Sequence, residues 1–571
     1  MHAFRNGVGA HGVDRPGVGE TGCYNLEALR YACASRSPCS QASPAFPEFP
    51  MTIVRLLRAA MVLAAVPLDA LAASITIGMA ADVTAIDPHY HNLTPNNNVA
   101  THLFDYLVQR NEKSQLLPGL ATEWKPIEPT VWEFKLRKGV KFSDGSEFTA
   151  ADVVATIERV PKVPNSPSPF TAYTKQIVKI DVVDPHTVRF RTAQPYPLMP
   201  SDMVQIAIVS KAAANASTED FNSGKAAIGT GPYKLVRYAK GDRVELVRND
   251  GWWGGKTPWE KVTLRLLTND AARVAALLAG DVQAIEAVPT ADVARLKQDK
   301  RLAIFRQVSD RLMYVHMDSN RDATPHVTAK DGKPFAKNPL KDPRVRKALS
   351  MAVNRPAIVE RVMEGEAVPA GQLVPEFLFG ATKNLKVEKF DVEGAKKLLA
   401  EAGYPDGFAV TLHATNNRYV NDAKIAQAIA QMWTRAGVRT EVAAMPSATF
   451  FPQATDLKFS VLQAGWSTGT GEASSSLKAL LMTFNRDKGF GTANRGRYSN
   501  GKVDALTEDA LMTVDDVKRE AYLQRATEIA INDTGLIPLH FQVSLWATRD
   551  GIGYLPRVDE YTLAHKFSPR K

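Results

Sequence analysis

The sequence predicts an α/β protein of two or three domains, and three observations carry that prediction. At 571 residues, 45% hydrophobic and 8% aromatic, the chain has enough apolar material for several cores and is neither disordered nor fibrous in composition. Between Asp342 and Trp466, helix-period segments alternate with strand-period segments in the manner of βαβ units, which implies a mostly parallel sheet. Between Val131 and Val160, a strand, a turn and a helix follow one another without a gap.

Taken in order, the first 50 residues are rich in Gly, Pro and Ser, lack periodicity and hold all three cysteines, Cys23, Cys33 and Cys39. Met51 then opens a different pattern: Arg55 and Arg58, an apolar run AAMVLAAVPL, and Ala70-Leu71-Ala72. This is a secretory signal with a small-x-small cleavage site. The expectation is therefore a non-native upstream extension over 1–50, a signal peptide over 51–72 and a mature chain from Ala73. The apolar run is shorter than the ~20 residues that span a bilayer. No cysteine follows it, so the exported protein has no lipid attachment point and no disulfide framework. The first 72 residues hold six Arg and five acidic residues, so the net charge of +10 becomes +9 on cleavage. The Lys and Arg are scattered among acidic residues rather than gathered with aromatics, so nucleic acid is not an expected partner.

SITIGMA, with Ile75, Ile77 and Met79 alternating, predicts the first strand of the mature chain. The polar loop after it ends in Asn96, Asn97 and Asn98 before a helix over VATHLFDYLV. Two readings stay open there: Asn side chains capping a helix, or donors and acceptors at a strand-to-helix switch point. In TVWEFKLR, Val131, Glu133, Lys135 and Arg137 face one way and Trp132, Phe134 and Leu136 the other, a half-buried strand. Ser143-Asp144-Gly145 supplies a tight turn, and Thr149 with Asp152 three residues on forms a capping box for the helix VVATIERV. Strands follow at DVVDPHTVRF, KLVRY, VELVRND and TLRLL, and the helix DAARVAALLAG stops at Gly280. The paired Trp252 and Trp253 could stack on a ligand or pack within a structural turn. Asp342 as N-cap and Pro343 at the first helical position start RVRKALSMAV; later helices end at Gly403 and Gly437, with strands FAVTLHAT, VRTEVAA and FSVLQAGW between and after them. LIPLHFQVSLWATRDGIGYL contributes the last alternating pieces.

The residue strings themselves resemble the family 5 extracellular solute-binding proteins of ABC importers, which include oligopeptide, dipeptide, nickel and glutathione binders. The resemblance runs through LPGLATEW and WEFKLRKGVKFSDG, then Gly229-Thr230-Gly231-Pro232-Tyr233, DPRVRKALSMAVNR, Gly465-Trp466 and RYSN at 497–500. It implies the bilobal periplasmic-binding-protein fold, in its large three-domain form with hinge strands. Domain I would comprise 73–112, 229–311 and 536–571, domain II 113–228 and domain III 312–535. It further implies a periplasmic monomer that closes on a peptide or peptide-like solute and delivers it to a membrane permease with two ATPases. A nickel chelate or other small polar solute is the alternative. The chain itself has no G-x-x-x-x-G-K-[ST] loop for ATP, and no cofactor is implied.

Candidate ligand-binding residues stand at strand ends: Asn97 and Asn98 after the first strand; Asn416, Arg418 and Tyr419; Trp466, Gly469 and Glu472; and His540 with Gln542 near the return crossing. Arg418 can pair a carboxylate through two parallel bonds, and Trp466 can cover apolar surface. In the dipeptide and oligopeptide binders, an Asp three residues beyond the Trp pairs with the ligand's α-ammonium. Gly469 occupies that place here, and Glu472 is the nearest alternative carboxylate. Two rival chemistries have weaker support. Gly465-Trp466-Ser467-Thr468-Gly469 fits the G-x-S-x-G of serine hydrolases, with His540 downstream, but Thr470-Gly471-Glu472 intervene before any helix. His89, His91 and His102 are close in sequence, yet an H-x-H pair in an extended loop turns its rings to opposite faces. The expectation is a binding protein without catalytic or metal-ligating residues.

Overall fold

A computed structural model describes residues 73–570. The upstream extension and signal segment expected over 1–72, and with them all three cysteines, lie outside the described residues. No helix among the described residues is long and apolar enough to cross a membrane.

One mixed sheet runs through the molecule. Its strand order is Val327–Thr328, Ala409–Thr415, Val461–Trp466, Leu302–Met317, Ile537–Arg549, Ala284–Glu286, Ser74–Met79, Lys261–Leu266, Arg243–Arg248 and Tyr233–Ala239. The two central strands, Leu302–Met317 and Ile537–Arg549, are far longer than the rest and antiparallel to each other. Each is shared: Leu312–Met317 pairs with Val461–Trp466 on one side of the molecule, and Trp546–Thr548 pairs with Ala284–Glu286 on the other. These two strands therefore join two half-sheets that are otherwise separate along the hydrogen-bonded order.

Each half-sheet has its own cores because alternate residues point to opposite faces. In the first crossing strand, Met313, Val315 and Met317 enter one core with Trp433 and Leu412. Leu312 and Tyr314 enter another with Phe450 and Leu477. Around the other half-sheet, Ile75, Ile77 and Val262 pack on one face, and Ile285, Val274 and Val543 on the other. A separate four-stranded antiparallel sheet, in the order Ala121–Glu128, Val131–Leu136, Thr187–Thr192, Ile177–Asp184, carries its own core with Phe134, Phe148 and Phe190.

The short-range signals act as read. Asp152 accepts from the Thr149 N–H at 2.9 Å at the head of helix Ala150–Arg159. Asp342 accepts from the Arg344 N–H at 2.9 Å before helix Pro343–Met351. Gly280, Gly403 and Gly437 take φ of 90°, 94° and 100° at their helix ends. In the third region, Ala409–Thr415 is parallel to both Arg439–Met445 and Val461–Trp466.

Two expectations need correction. The helix after the first strand spans Thr94–Leu103, so Asn96, Asn97 and Asn98 lie within it rather than in a loop. Thr94-Pro95 is the start signal, since proline in the first turn forfeits no hydrogen bond. Glu133, placed on the open face of its strand, is only 7% exposed. Its strand is interior to the four-stranded sheet, and Arg189 pairs with the carboxylate at 2.7 Å. The crossing strand Leu302–Met317 is 16 residues long and ends on Tyr314-Val315-His316-Met317.

Candidate functional site

The site is built where the two long strands cross between half-sheets. Val308 pairs with Val543 and Leu312 with Phe541, so the first strand spends two more residues than its partner over this step. The bulge contains Ser309, Asp310 and Arg311, and a bulge bends the strand and re-aims its side chains. Both charged residues are buried there, Asp310 to 2% exposure and Arg311 to 7%.

Arg311 donates to Glu560 through Nη2 at 2.6 Å and Nε at 3.2 Å, and Gln542 Nε2 adds a bond to the same carboxylate at 3.1 Å. Burial opposes both charges. Mutual attraction outweighs it, so the Arg311 pKa rises above its ordinary value and that of Glu560 falls below it. Asp310 has no such partner: it accepts from the Ser467 and Thr468 hydroxyls at 2.5 and 3.1 Å. Burial pushes its pKa up to about 7. Tyr419 donates to the Gly465 carbonyl at 3.0 Å, with Arg311 5.9 Å from its ring centroid on one approach and Arg418 5.1 Å on another.

Residues far away in sequence reach this cluster through backbone. Arg110 Nη2 and Gln205 Nε2 both donate to the Gly469 carbonyl, at 2.9 and 2.8 Å. Tyr173 Oη would stand 3.3 Å from a Cβ on Gly469. Tyr173 accepts from Asn92 at 3.1 Å, and Asn97 donates to Asn92 at 2.9 Å. Near them Asp202, 2% exposed, accepts from Tyr196 and is pushed by burial to about 7. Beside this contact a void of about 120 Å³ is lined by Arg110, Gln205, Tyr561 and Arg557, among others.

The structure thus gathers Arg418, Tyr419 and Gln542 around the Arg311–Glu560 pair, sets Gly469 against Arg110 and Gln205, and links Asn97 to that contact through Asn92 and Tyr173. Trp466 ends its strand beside them, its indole N–H 3.3 Å from Ser475 Oγ. The others are used differently. Asn98 accepts from the Thr562 N–H at 3.1 Å and so holds the C-terminal segment. Asn416 is exposed and tied by its own N–H to the Met445 carbonyl. His540 is buried in the second crossing strand and pushed by desolvation to about 4. Glu472 accepts from Arg519 through both oxygens at 2.8 and 2.7 Å. Its charge is therefore already matched, which corrects its expected role as a replacement anchor for an ammonium. Asp310, Arg311, Glu560, Arg110 and Gln205 were missed because nothing in their local pattern distinguishes them from ordinary polar positions.

The rival chemistries can be followed atom by atom. Ser467 directs its hydroxyl to Asp310, not to an imidazole. His89 bonds Ala207 O and Arg159, while His102 bonds Asn98 O and the Ala564 N–H. His91 meets the Thr84 hydroxyl at 2.9 Å. The two tryptophans of the aromatic turn converge on Asp105, with indole N–H bonds of 3.2 and 2.7 Å, and Thr230 of the Gly229–Tyr233 motif joins them at 3.0 Å. That turn is tied to a buried carboxylate, and Trp252 also lines the void beside Arg110 and Gln205.

Residues 115–488 match the profile of the bacterial extracellular solute-binding proteins, family 5. The glutathione-binding protein GsiB of Shigella boydii is 29% identical over 477 residues, 82% of this chain and 89% of that one. Among solved structures, HbpA2 from Haemophilus parasuis superposes with a TM-score of 0.74 at 23% identity, over 87% of this chain and 100% of that one. DppA from Helicobacter pylori, in complex with the peptide STSA, gives 0.72 at 23% identity, over 87% and 98%. NikZ from Campylobacter jejuni, in complex with Ni(L-His), gives 0.72 at 21% identity, over 87% and 99%. These likenesses establish the bilobal periplasmic-binding fold. By the span of its sequence match, the chain belongs to family 5 of the bacterial extracellular solute-binding proteins.

Proposed function

We propose that this protein is the periplasmic solute-capturing component of an ABC importer. It closes two lobes on a peptide or peptide-like solute and hands it to a membrane permease driven by two ATPases. The observation that carries this reading is the crossing itself. Two strands connect the lobes, and at their bulge buried charged and hydrogen-bonding groups from distant parts of the chain face one contact: Asp310, Arg311, Glu560, Tyr419 and Gln542. Hinge closure around such a place sequesters a polar solute from water. The names of the relatives, glutathione-binding and peptide-bound, favour the peptide class. The protein works as a monomer without catalysis, exported by the segment at 51–72 and without a lipid anchor.

The missing carboxylate at Gly469 sharpens the solute's chemistry. A desolvated ammonium without a counter-charge is costly, and Glu472 is matched by Arg519. The position beside Trp466 therefore does not select a free α-amine. Isothermal titration calorimetry with glutathione, matched free and N-acetylated dipeptides, and nickel-histidine decides among classes. The expectation is binding of a peptide-like member with N-acetylation changing affinity less than threefold. Binding confined to nickel-histidine would replace the peptide reading, and a strong demand for the free amine would overturn the argument from Gly469.

A further inference from the structure

A second concentration of charge lies outside the contact between lobes. Arg486, Arg495 and Arg497 line a cavity of about 360 Å³ together with Thr455, Thr492 and Phe484. Met317, whose carbonyl Gly496 approaches, stands six residues beyond Arg311 on the crossing strand, roughly 20 Å at strand rise, while the Arg495 guanidinium reaches back toward the Tyr314 hydroxyl, three residues beyond Arg311.

The pocket is built rather than incidental. Gly496 sits against the end of the crossing strand so closely that a Cβ would lie 2.4 Å from the Met317 carbonyl, and its own carbonyl accepts from the Ser319 N–H at 2.9 Å. Arg495 and Arg497 flank this pinned glycine, and Arg497 is forced to φ 52°, a conformation unfavourable for a side chain of its size. Arg497 lies 3.9 Å over the Phe484 ring and Arg495 5.4 Å over Phe451. Stacking on a ring face fixes the guanidinium plane and leaves N–H edges to be satisfied elsewhere. One Arg497 N–H goes to the Asn494 carbonyl at 2.9 Å, while the buried Arg495 Nε makes no hydrogen bond within the protein, the rest of that guanidinium lying beside the Tyr314 hydroxyl. Lys488 of the same loop pairs with Glu508 at 3.1 Å, but no ion pair among the described residues engages Arg486, Arg495 or Arg497. Three like charges around one cavity repel unless an anion joins them.

We propose that this arginine pocket is a second binding site, separate from the solute cleft, for a compact oxyanion of the phosphate class, either free or as the headgroup of an anionic lipid. Three arginine side chains lining one space suit a tetrahedral anion with several acceptor oxygens better than a planar carboxylate with two.

Calorimetric titration of the full chain with inorganic phosphate, at ionic strength held constant with chloride, tests the site. The expected result is one saturable site whose affinity falls at least tenfold in Arg495→Gln and in Arg497→Gln. Arg486→Gln, an exposed position, guards against loss of fold and should weaken binding at least threefold. Co-sedimentation with phosphatidylglycerol and phosphatidylcholine vesicles separates the sources. Arginine-dependent binding to the former alone assigns the headgroup, and phosphate binding without vesicle binding assigns the free ion. Absence of arginine-dependent binding to either probe, or an equal effect from chloride, overturns the proposal.

Discussion

Glu560→Gln probes the crossing most directly. Arg311 and Glu560 have side-chain exposures of only 8% and 14%, so the substitution leaves a guanidinium buried without its counter-charge. Removing one partner of a buried pair costs about 3–5 kcal/mol. With an unfolding entropy of ~2.1 cal/mol/K per residue over roughly 500 residues, a loss of about 4 kcal/mol lowers the melting temperature by about 4 °C. Arg311→Met should cost a similar amount. The double variant removes both charges together and should recover about 2 kcal/mol relative to the sum of the singles. Differential scanning calorimetry of the four proteins measures this cycle. The pair also has a pH signature. The Glu560 pKa is lowered in the fold, so its contribution is present above the ordinary carboxylate range and is lost as pH falls through the folded value. Wild type and Glu560→Gln should therefore converge in acid. Single variants within about 0.5 kcal/mol of wild type, or strict additivity in the cycle, would refute the view that this pair is the charged centre of the crossing.

Asp310 has the opposite sign: its folded pKa is about 7, above the unfolded value, so stability falls as pH rises from about 4 to 7 and then levels. Asp310→Asn should match wild type near pH 4 and be more stable at pH 8 by an amount on the order of a few kcal/mol, read as a difference in melting temperature across a pH series. Gly469→Asp places a carboxylate where the first side-chain atom meets only Tyr173 Oη, at 3.3 Å. Titration should show at least a tenfold gain for free over N-acetylated dipeptides, and no change would discard the anchor argument. Gly229→Ala drives a Cβ to 1.9 Å from the Leu103 carbonyl, backbone against backbone, and should destabilise by at least about 3 kcal/mol in chemical denaturation. Ser467→Ala should leave labelling by a broad serine-hydrolase probe as it was in wild type, at background, because the Ser467 proton is directed to Asp310; labelling that vanishes in the variant would restore the hydrolase reading.

Much of this fold is decided within a few residues along the chain. Asp152 caps its helix from three positions away, Asp342-Pro343 opens another, and Gly280 closes a third. The period of two in SITIGMA and FSVLQAGW survives as strands, because rotamer, capping and steric preferences act locally. The Arg311–Glu560 pair joins residues 249 apart, Arg110 reaches Gly469 across 359, and Glu472 finds Arg519 across 47. No local preference marks those partners. Asp310 and Arg311 look like ordinary polar positions until pairing with Phe541 and Val543 forces a bulge between them, and Glu472 looks like a free carboxylate until Arg519 arrives. The sequence by itself determined most of the elements and the family, and it marked the strand ends proposed to bind a solute. Only the tertiary structure decided which charges at those ends are matched within the protein, because a buried charge is governed by whatever distant group the fold brings within a few ångströms of it.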